Sequence, residues 1–235
     1  KLQAAREAGF DFIEISIDET EAKLQRLDWS MGEKLKLFRQ SREAGMLIYT
    51  MCLSGLRKYP LGSSDPQKEL RSLEIVEKAI VFAADLGIRI IQLAGYDVYY
   101  EESTPETRER FVRNLKKCVR LAASRGVILA LETMEVDFLN TVEKALYYVQ
   151  LIDSPYLKIY PDTGNITNAT PDITKDIMTG RGHIVAAHLK ETRPGIFREV
   201  PFGQGHVDFV KAIRSYLKLG VGLYLAEFWH LGGND

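Results

Sequence analysis

The chain has 235 residues, a length that suits one α/β-barrel domain of typically about 250 residues. Its 31 Lys and Arg residues almost balance its 32 Asp and Glu residues, which excludes the strongly basic surface of a nucleic-acid-binding protein. Two cysteines are too few for a disulfide scaffold, and no apolar run is long enough to predict a membrane span. We therefore expect one cytoplasmic domain over residues 1–235, with no nucleic-acid or membrane partner.

Short apolar runs alternate with longer amphipathic segments along the chain, the pattern of repeated βα units around a parallel sheet. The predicted strands are 12–17, 47–53, 88–94, 127–133, 157–161, 184–189 and 223–228. The predicted helices are 30–44, 70–86, 105–125, 141–151, 171–179 and 209–219. A capping box at Ser30 and Glu33 predicts one helix start, and glycines that predict left-handed helix ends are Gly45, Gly87, Gly126 and Gly220.

The two ends of the chain are informative about the fold class. Residues 1–9 predict the end of a helix that leads into the first predicted strand, and residues 232–235 follow closely on the last one. We therefore expect a (β/α)8 TIM barrel whose first strand and last helix are missing from this chain. An open, doubly wound sheet of seven strands has the same periodicity and is the structural alternative.

Four predicted strands carry a polar residue near the carboxyl end, where an apolar residue is expected in a strand buried on both faces. These residues, which we call the ligand cluster, are Glu132, Asp162, His188 and Glu227. In a barrel such strand ends converge on the face that carries the active site. Three carboxylates there would repel each other, whereas a divalent cation turns them and the histidine into an O3N site that suits Mn²⁺, Co²⁺ or Zn²⁺. Any single acid at a strand end is more often a helix cap or an ion-pair partner, but four successive strands together predict a metal site.

The sequence also resembles a known family over nearly its whole length. The matching segments are GFDFIEIS (9–16), RLDWS (26–30), MCLSGLRKYPLGS (51–63), GIRIIQLAGYDVYY (87–100), IYPDTGN (159–165), GHIVAAHLKET (182–192) and VPFGQGHVDF (200–209). In these segments the chain resembles the L-xylulose (L-ribulose) 5-phosphate 3-epimerases of ascorbate utilisation, which belong to the xylose-isomerase-like barrels. Older members of this family carried the label hexulose-6-phosphate isomerase.

The resemblance implies a reaction and a role for each member of the ligand cluster. All four residues would bind one divalent metal ion, and no nucleotide cofactor would be needed. Since barrels of this superfamily commonly form dimers, the resemblance also implies a homodimer. Glu132 and Glu227 would act as the acid/base pair that epimerises C3 of a ketopentose 5-phosphate through a cis-enediolate. The alternative is an aldose–ketose isomerase of a sugar phosphate, because the same metal site serves the same type of intermediate. A metal-dependent endonuclease is a weaker alternative, because only 4 His are present. A binding module that has lost catalysis is also weaker, because all four residues of the ligand cluster are present.

Substrate contacts are predicted outside the ligand cluster. The candidates for binding the sugar phosphate are Arg57, Asn165, Lys190, Arg193 and Arg198. Each of the four cations could equally be a solvated loop charge. At the position of Asn165, related epimerases of free ketoses carry a histidine, so a substrate contact there departs from their pattern. For Glu135 and Glu191, which follow ligand strands, we favour a surface position over a role beside the ligands.

Overall fold

The computed structural model describes residues 1–229. The prediction that the last helix is missing concerns residues 230–235, which lie outside the described residues. The structure contains two compact units. The first unit consists of Lys1–Ala130 and Ile152–Leu157, and the second consists of Leu131–Leu151 and the described residues from Lys158 onward. A single domain over residues 1–235 stays a prediction.

Strands and helices alternate through the first unit. Its elements are α1 (Leu2–Glu7), β1 (Phe12–Ser16), α2 (Glu21–Leu24), α3 (Met31–Glu43), β2 (Leu47–Cys52), α4 (Pro66–Leu86), β3 (Ile90–Ala94), α5 (Pro105–Ser124) and the start of β4 (Ile128–Glu132). Strand β2 lies between β1 and β3 and is parallel to both, and the order continues with β4, where Ile128 N donates to Arg89 O at 2.8 Å. Such parallel neighbours require helical crossovers, which α3, α4 and α5 provide.

The sequence signals at the helix ends of this unit are confirmed. Ser30 and Glu33 form both hydrogen bonds of a capping box at the start of α3. Gly45, Gly87 and Gly126 have φ angles of 61°, 77° and 67°, in the left-handed region that ends a helix. Helix α4 begins four residues before its predicted start, because the Asp65 side chain accepts a hydrogen bond from Gln67 N at 2.8 Å and caps it.

The second unit contains the strands that carry the ligand cluster. After the end of β4, its elements are α6 (Val142–Ile152), β5 (Leu157–Tyr160), α7 (Thr163–Ala169), α8 (Ile173–Thr179), β6 (Ala187–Lys190), α9 (Phe209–Lys218) and β7 (Tyr224–Glu227). Strands β6 and β7 are parallel and pair over four residues, with Lys190 opposite Glu227. Parallel bridges pair Ile159 with Ile184 and Asp162 with His188, so the end of β5 lies beside β6. The carboxyl ends of β5, β6 and β7 therefore form one row.

The seven predicted strands all exist among the described residues, with ends that differ by up to three residues. Strand β6 begins at Ala187 and not at residue 184, because Ile184 makes only an isolated bridge. Helix α7 was not predicted, because its sequence TGNITNA is poor in helix-favouring residues. No helix within residues 1–229 is long and apolar enough to cross a membrane.

Candidate metal centre

The ligand cluster lies in the second unit, at the carboxyl ends of four strands. Glu132 and Glu227 are the last residues of β4 and β7, His188 lies within β6, and Asp162 follows β5 directly before α7. One donor atom from each of the four side chains lies within 4.8 Å of every other donor atom. The structure thus brings together the four residues that the sequence singled out.

The imidazole of His188 is at the centre of this arrangement. Its Nδ1 atom lies 2.8 Å from Glu132 Oε1, 2.9 Å from Glu227 Oε2 and 4.0 Å from Asp162 Oδ2. The ring is held by the edge of Tyr160, with 4.8 Å between ring centroids, and the His188 carbonyl accepts a hydrogen bond from Thr163 Oγ1 at 2.8 Å. One nitrogen thus faces three carboxylates, although a single N–H can donate fully to only one of them.

Backbone geometry fixes the orientation of Asp162. Its Oδ1 atom accepts a hydrogen bond from Asn165 N at 2.7 Å and so caps α7, while its own N–H donates to Thr133 Oγ1 at 2.9 Å. Helix α7 comes close to the end of β6 at Gly164, where an added Cβ would lie 2.7 Å from Lys190 O. The N-cap pattern of Asp162 is the sequence signal that would have revealed this helix. Because Oδ1 is used by the cap, Oδ2 is the atom directed to the cluster.

The cluster is largely removed from water. Glu132, Asp162 and His188 are 6%, 0% and 3% exposed, while the Glu227 side chain is 30% exposed. Asp162 Oδ2 and Glu227 Oε2 are buried; Lys190 Nζ lies 3.0 Å from the first, and His188 Nδ1 lies 2.9 Å from the second. Burying a carboxylate is costly unless its charge is offset, and one ammonium and one imidazole nitrogen do not offset three carboxylates.

Burial and mutual repulsion perturb the carboxylates. Burial raises the pKa of Asp162 to about 7, although the Lys190 ammonium opposes the shift. Burial likewise raises the pKa of Glu132 against the opposing effect of His188. Burial acts in the same direction on Glu227, but the hydrogen bond and charge of His188 outweigh it and lower the pKa of Glu227 to about 2. Three carboxylates in one buried pocket therefore do not all hold a negative charge easily without a cation.

The donor set fits a divalent metal ion. It offers one oxygen from each of three carboxylates and one imidazole nitrogen, all within 4.8 Å of one another. The absence of a thiolate among these four donors is typical of a catalytic site and not of a structural zinc site. The cluster is therefore a potential site for a divalent metal ion.

The predicted substrate contacts are distributed over both units. Asn165 and Lys190 lie beside Asp162: Asn165 Nδ2 donates to Thr133 O at 2.8 Å, and Lys190 Nζ lies 3.0 Å from Asp162 Oδ2. Arg193 Nε donates to Gln204 O at 2.8 Å, within the loop that follows β6. Their roles in substrate binding stay predictions.

Two further arginines stand in different surroundings. Arg198 pairs with Glu135 at 3.0 Å and joins the loops after β6 and β4, both within the second unit. Arg57 belongs to the first unit, where its guanidinium lies 5.2 Å from the ring centroid of Tyr99 and its buried Nε has no hydrogen-bond partner among the described residues. Their contacts with substrate also stay predictions.

The favoured surface position of Glu191 is wrong, because this residue is 3% exposed. Its carboxylate accepts backbone hydrogen bonds from Thr192 N at 3.1 Å, Gly203 N at 3.0 Å and Val207 N at 3.1 Å. It therefore fixes the loop after β6 from within. The partners lie up to sixteen residues along the chain, so no local pattern indicates this role.

The chain is similar to known proteins over nearly its whole length. A model of the family described as xylose isomerase-like TIM barrel matches residues 2–234. L-ribulose-5-phosphate 3-epimerase UlaE of Escherichia coli (strain SMS-3-5 / SECEC) is 46% identical over 236 residues, which cover 100% of this chain and 83% of the relative. UlaE of Escherichia fergusonii has the same identity and coverage.

Solved structures also resemble this chain. A crystal structure of D-psicose 3-epimerase in the presence of D-fructose has a TM-score of 0.83 at 18% identity and covers 99% of this chain and 80% of that chain. A structure of L-ribulose 3-epimerase has a TM-score of 0.77 at 23% identity and covers 96% of this chain and 73% of that chain. The predicted TIM-barrel class is confirmed, in preference to the doubly wound sheet.

Proposed function

Because this chain belongs to the xylose isomerase-like TIM barrel family, we propose that it interconverts L-ribulose 5-phosphate and L-xylulose 5-phosphate by epimerisation at C3. The chain is an isomerase of the carbohydrate-epimerase type. The observation that carries the proposed reaction is the convergence of the ligand cluster in a chain that is 46% identical to L-ribulose-5-phosphate 3-epimerases. The proposal includes Mn²⁺, Co²⁺ or Zn²⁺ as the bound ion and a role in ascorbate utilisation.

Epimerisation at C3 removes a proton next to the C2 carbonyl and returns one to the opposite face of the same carbon. A divalent ion in the cluster would supply Lewis-acid polarisation of the ketose oxygens. Glu132 and Glu227 both face His188 Nδ1, at 2.8 and 2.9 Å. Each carboxylate has a second oxygen besides the one that faces the imidazole, and this oxygen can take or return the proton. We assign the two glutamates as the acid/base pair, with exchanged roles in the two directions.

Asp162 and His188 have a supporting role in this scheme. Both are more buried than Glu227 and both are fixed by backbone contacts, through the α7 cap and through Thr163 respectively. These two fixed side chains would hold the ion, while the more exposed Glu227 would be accessible to a substrate that enters from solvent. For the phosphate we retain Arg57, Arg193 and Arg198 as candidates, since Arg57 ends a short 3-10 helix after β2 and the other two lie on the loop after β6.

The experiment is an assay of the purified protein with L-ribulose 5-phosphate in D₂O, after loading separately with Mn²⁺, Co²⁺ and Zn²⁺. We expect L-xylulose 5-phosphate with deuterium at C3, observed by NMR. Deuterium at C1 together with an aldose product would instead identify an aldose–ketose isomerase on the same site. Absence of any exchange with all three ions contradicts the proposal. Light scattering of the same sample tests the homodimer.

A further inference from the structure

A buried lysine lies beside the ligand cluster without belonging to it. Lys190 is the last residue of β6, two positions after His188, so the two side chains leave the strand on the same face. Its Nζ atom lies 3.0 Å from Asp162 Oδ2, and the side chain is only 6% exposed. A phosphate that arrives from solvent would have little access to an ammonium in this position, so another role is needed.

The charges around Lys190 indicate that its role is electrostatic. Three carboxylates carry a formal charge of −3, and they lie with His188 in a pocket where interactions between charges are poorly screened. Lys190 adds one positive charge at the rim of the cluster, which gives a formal sum of −2. A divalent ion neutralises that sum, whereas without the lysine the cluster would match a trivalent ion.

The contact also determines which oxygen Asp162 offers to the metal. Oδ1 is already held by Asn165 N at 2.7 Å, and the Lys190 ammonium lies at Oδ2. The carboxylate is therefore fixed at both oxygens before an ion arrives. The Lys190 ammonium can donate a hydrogen bond to one lone pair of this oxygen while the other lone pair remains available to the ion.

We propose that Lys190 is a positioning residue of the metal centre, which holds Asp162 Oδ2 and sets the charge of the cluster so that it prefers a divalent over a trivalent cation. The inference rests on the metal centre of the proposed function, but not on the substrate or the reaction.

The test is the selectivity of the purified full chain for two ions of similar size and different charge. Binding of Mn²⁺ is followed by electron paramagnetic resonance, and Ca²⁺ and Tb³⁺ are titrated as competitors. The variants are Lys190→Met, which removes the charge, and Lys190→Arg, which retains it. Lys218→Met, at an exposed position of α9, is the matched control. Lys190→Gln serves as a second neutral variant if the methionine variant is unstable.

We expect the ratio of the Tb³⁺ to the Ca²⁺ dissociation constant to fall at least tenfold in Lys190→Met or Lys190→Gln, because the extra negative charge acts more strongly on the trivalent ion. The ratio should stay within about threefold of wild type in Lys190→Arg and Lys218→Met. If Lys190 only filled space, its replacement would weaken the binding of both ions alike and leave the ratio unchanged. That result would overturn the inference.

The outcomes separate this inference from the proposed function. A shifted ratio in a protein that does not epimerise L-ribulose 5-phosphate supports the role of Lys190 and contradicts only the proposed reaction. An unchanged ratio in an active enzyme contradicts only the role of Lys190. A wild-type protein that binds no Mn²⁺ contradicts both.

Discussion

Two glutamates of the ligand cluster have different surroundings although they face the same imidazole nitrogen. Glu132 is 6% exposed, whereas the Glu227 side chain is 30% exposed. As proton carriers they should respond alike to loss of the ionisable oxygen, so Glu132→Gln and Glu227→Gln should each lower kcat by about 100-fold or more. Glu143→Gln, at an exposed position of α6, should retain activity.

The measurement is kcat together with the bound metal per chain for the three glutamine variants. Metal content separates loss of a proton carrier from loss of a ligand, because glutamine still offers an amide oxygen to the ion. Near wild-type kcat in either cluster variant, with metal retained, would show that the two-base assignment is wrong.

Neighbouring residues in this site differ in how far the sequence could predict them. The four cluster residues could be found because each is a polar residue at or just after the carboxyl end of an apolar run, which is a local signal. Glu191 follows Lys190 in the chain, yet its burial depends on the N–H groups of Gly203 and Val207. Such distant partners leave no trace in the residues around Glu191, and a charged residue after a strand is ordinarily exposed.

The loop after β6 is an element whose position depends on that buried carboxylate. A methyl group on Gly205 would lie closer to the Glu191 carboxylate and to Thr192 O than real side chains allow. Gly205→Ala should therefore lower the free energy of unfolding by about 1–3 kcal/mol, as overpacking typically does. Gly222→Ala, where an added Cβ meets nothing within 4 Å, is the matched control. Urea unfolding measures both, and equal midpoints for the two variants would contradict the described packing of this loop.

A second carboxylate joins the segment after β3 to the start of α4, within the first unit. Glu101 accepts hydrogen bonds from Ser63 Oγ at 2.6 Å and Ser64 N at 2.9 Å, and Lys68 Nζ lies at 3.2 Å. Burial raises the pKa of Glu101, but these donors outweigh it and lower the pKa to about 2. Since the folded-state pKa is depressed, the stabilisation is present above the ordinary pKa near 4.5 and is lost as pH falls towards 2.

Glu101→Gln should therefore destabilise the protein by about 1 kcal/mol at pH 7, and the difference from wild type should shrink between pH 5 and about 2. Chemical unfolding at several pH values measures this trend. Glu102→Gln, at an exposed neighbouring position, should show no such pH-dependent difference. A Glu101→Gln effect that is constant over this range would mean that the carboxylate charge does not contribute.

At the scale of the whole molecule, the order of strands and helices could be predicted because buried parallel strands read as apolar runs between amphipathic helices. All seven strands could be predicted from that contrast, but their exact ends could not. Strand β3, for example, begins two residues late, because Ile88 N donates to Ala83 O in the turn that follows α4. Helix α7 escaped prediction because it depends on the Asp162 cap and on the close contact of Gly164 with Lys190 O. Tertiary contacts therefore determine an element that the helix propensity of its residues does not predict.

Metal binding should couple to the stability of the unit that holds the ligand cluster. The four proposed ligands lie in β4, β6 and β7 or just after β5, so an ion would bind the folded arrangement and not the unfolded chain. At an ion concentration of 100 times Kd the stabilisation is about 2.7 kcal/mol, and for a chain of this size that corresponds to a rise in Tm of roughly 5–10 °C. Calorimetry of the chelator-treated protein with and without added Mn²⁺ measures the shift. His188→Gln removes the central nitrogen, and its Tm should therefore respond little to the ion. An equal shift in wild type and His188→Gln would place the stabilising ion outside the cluster.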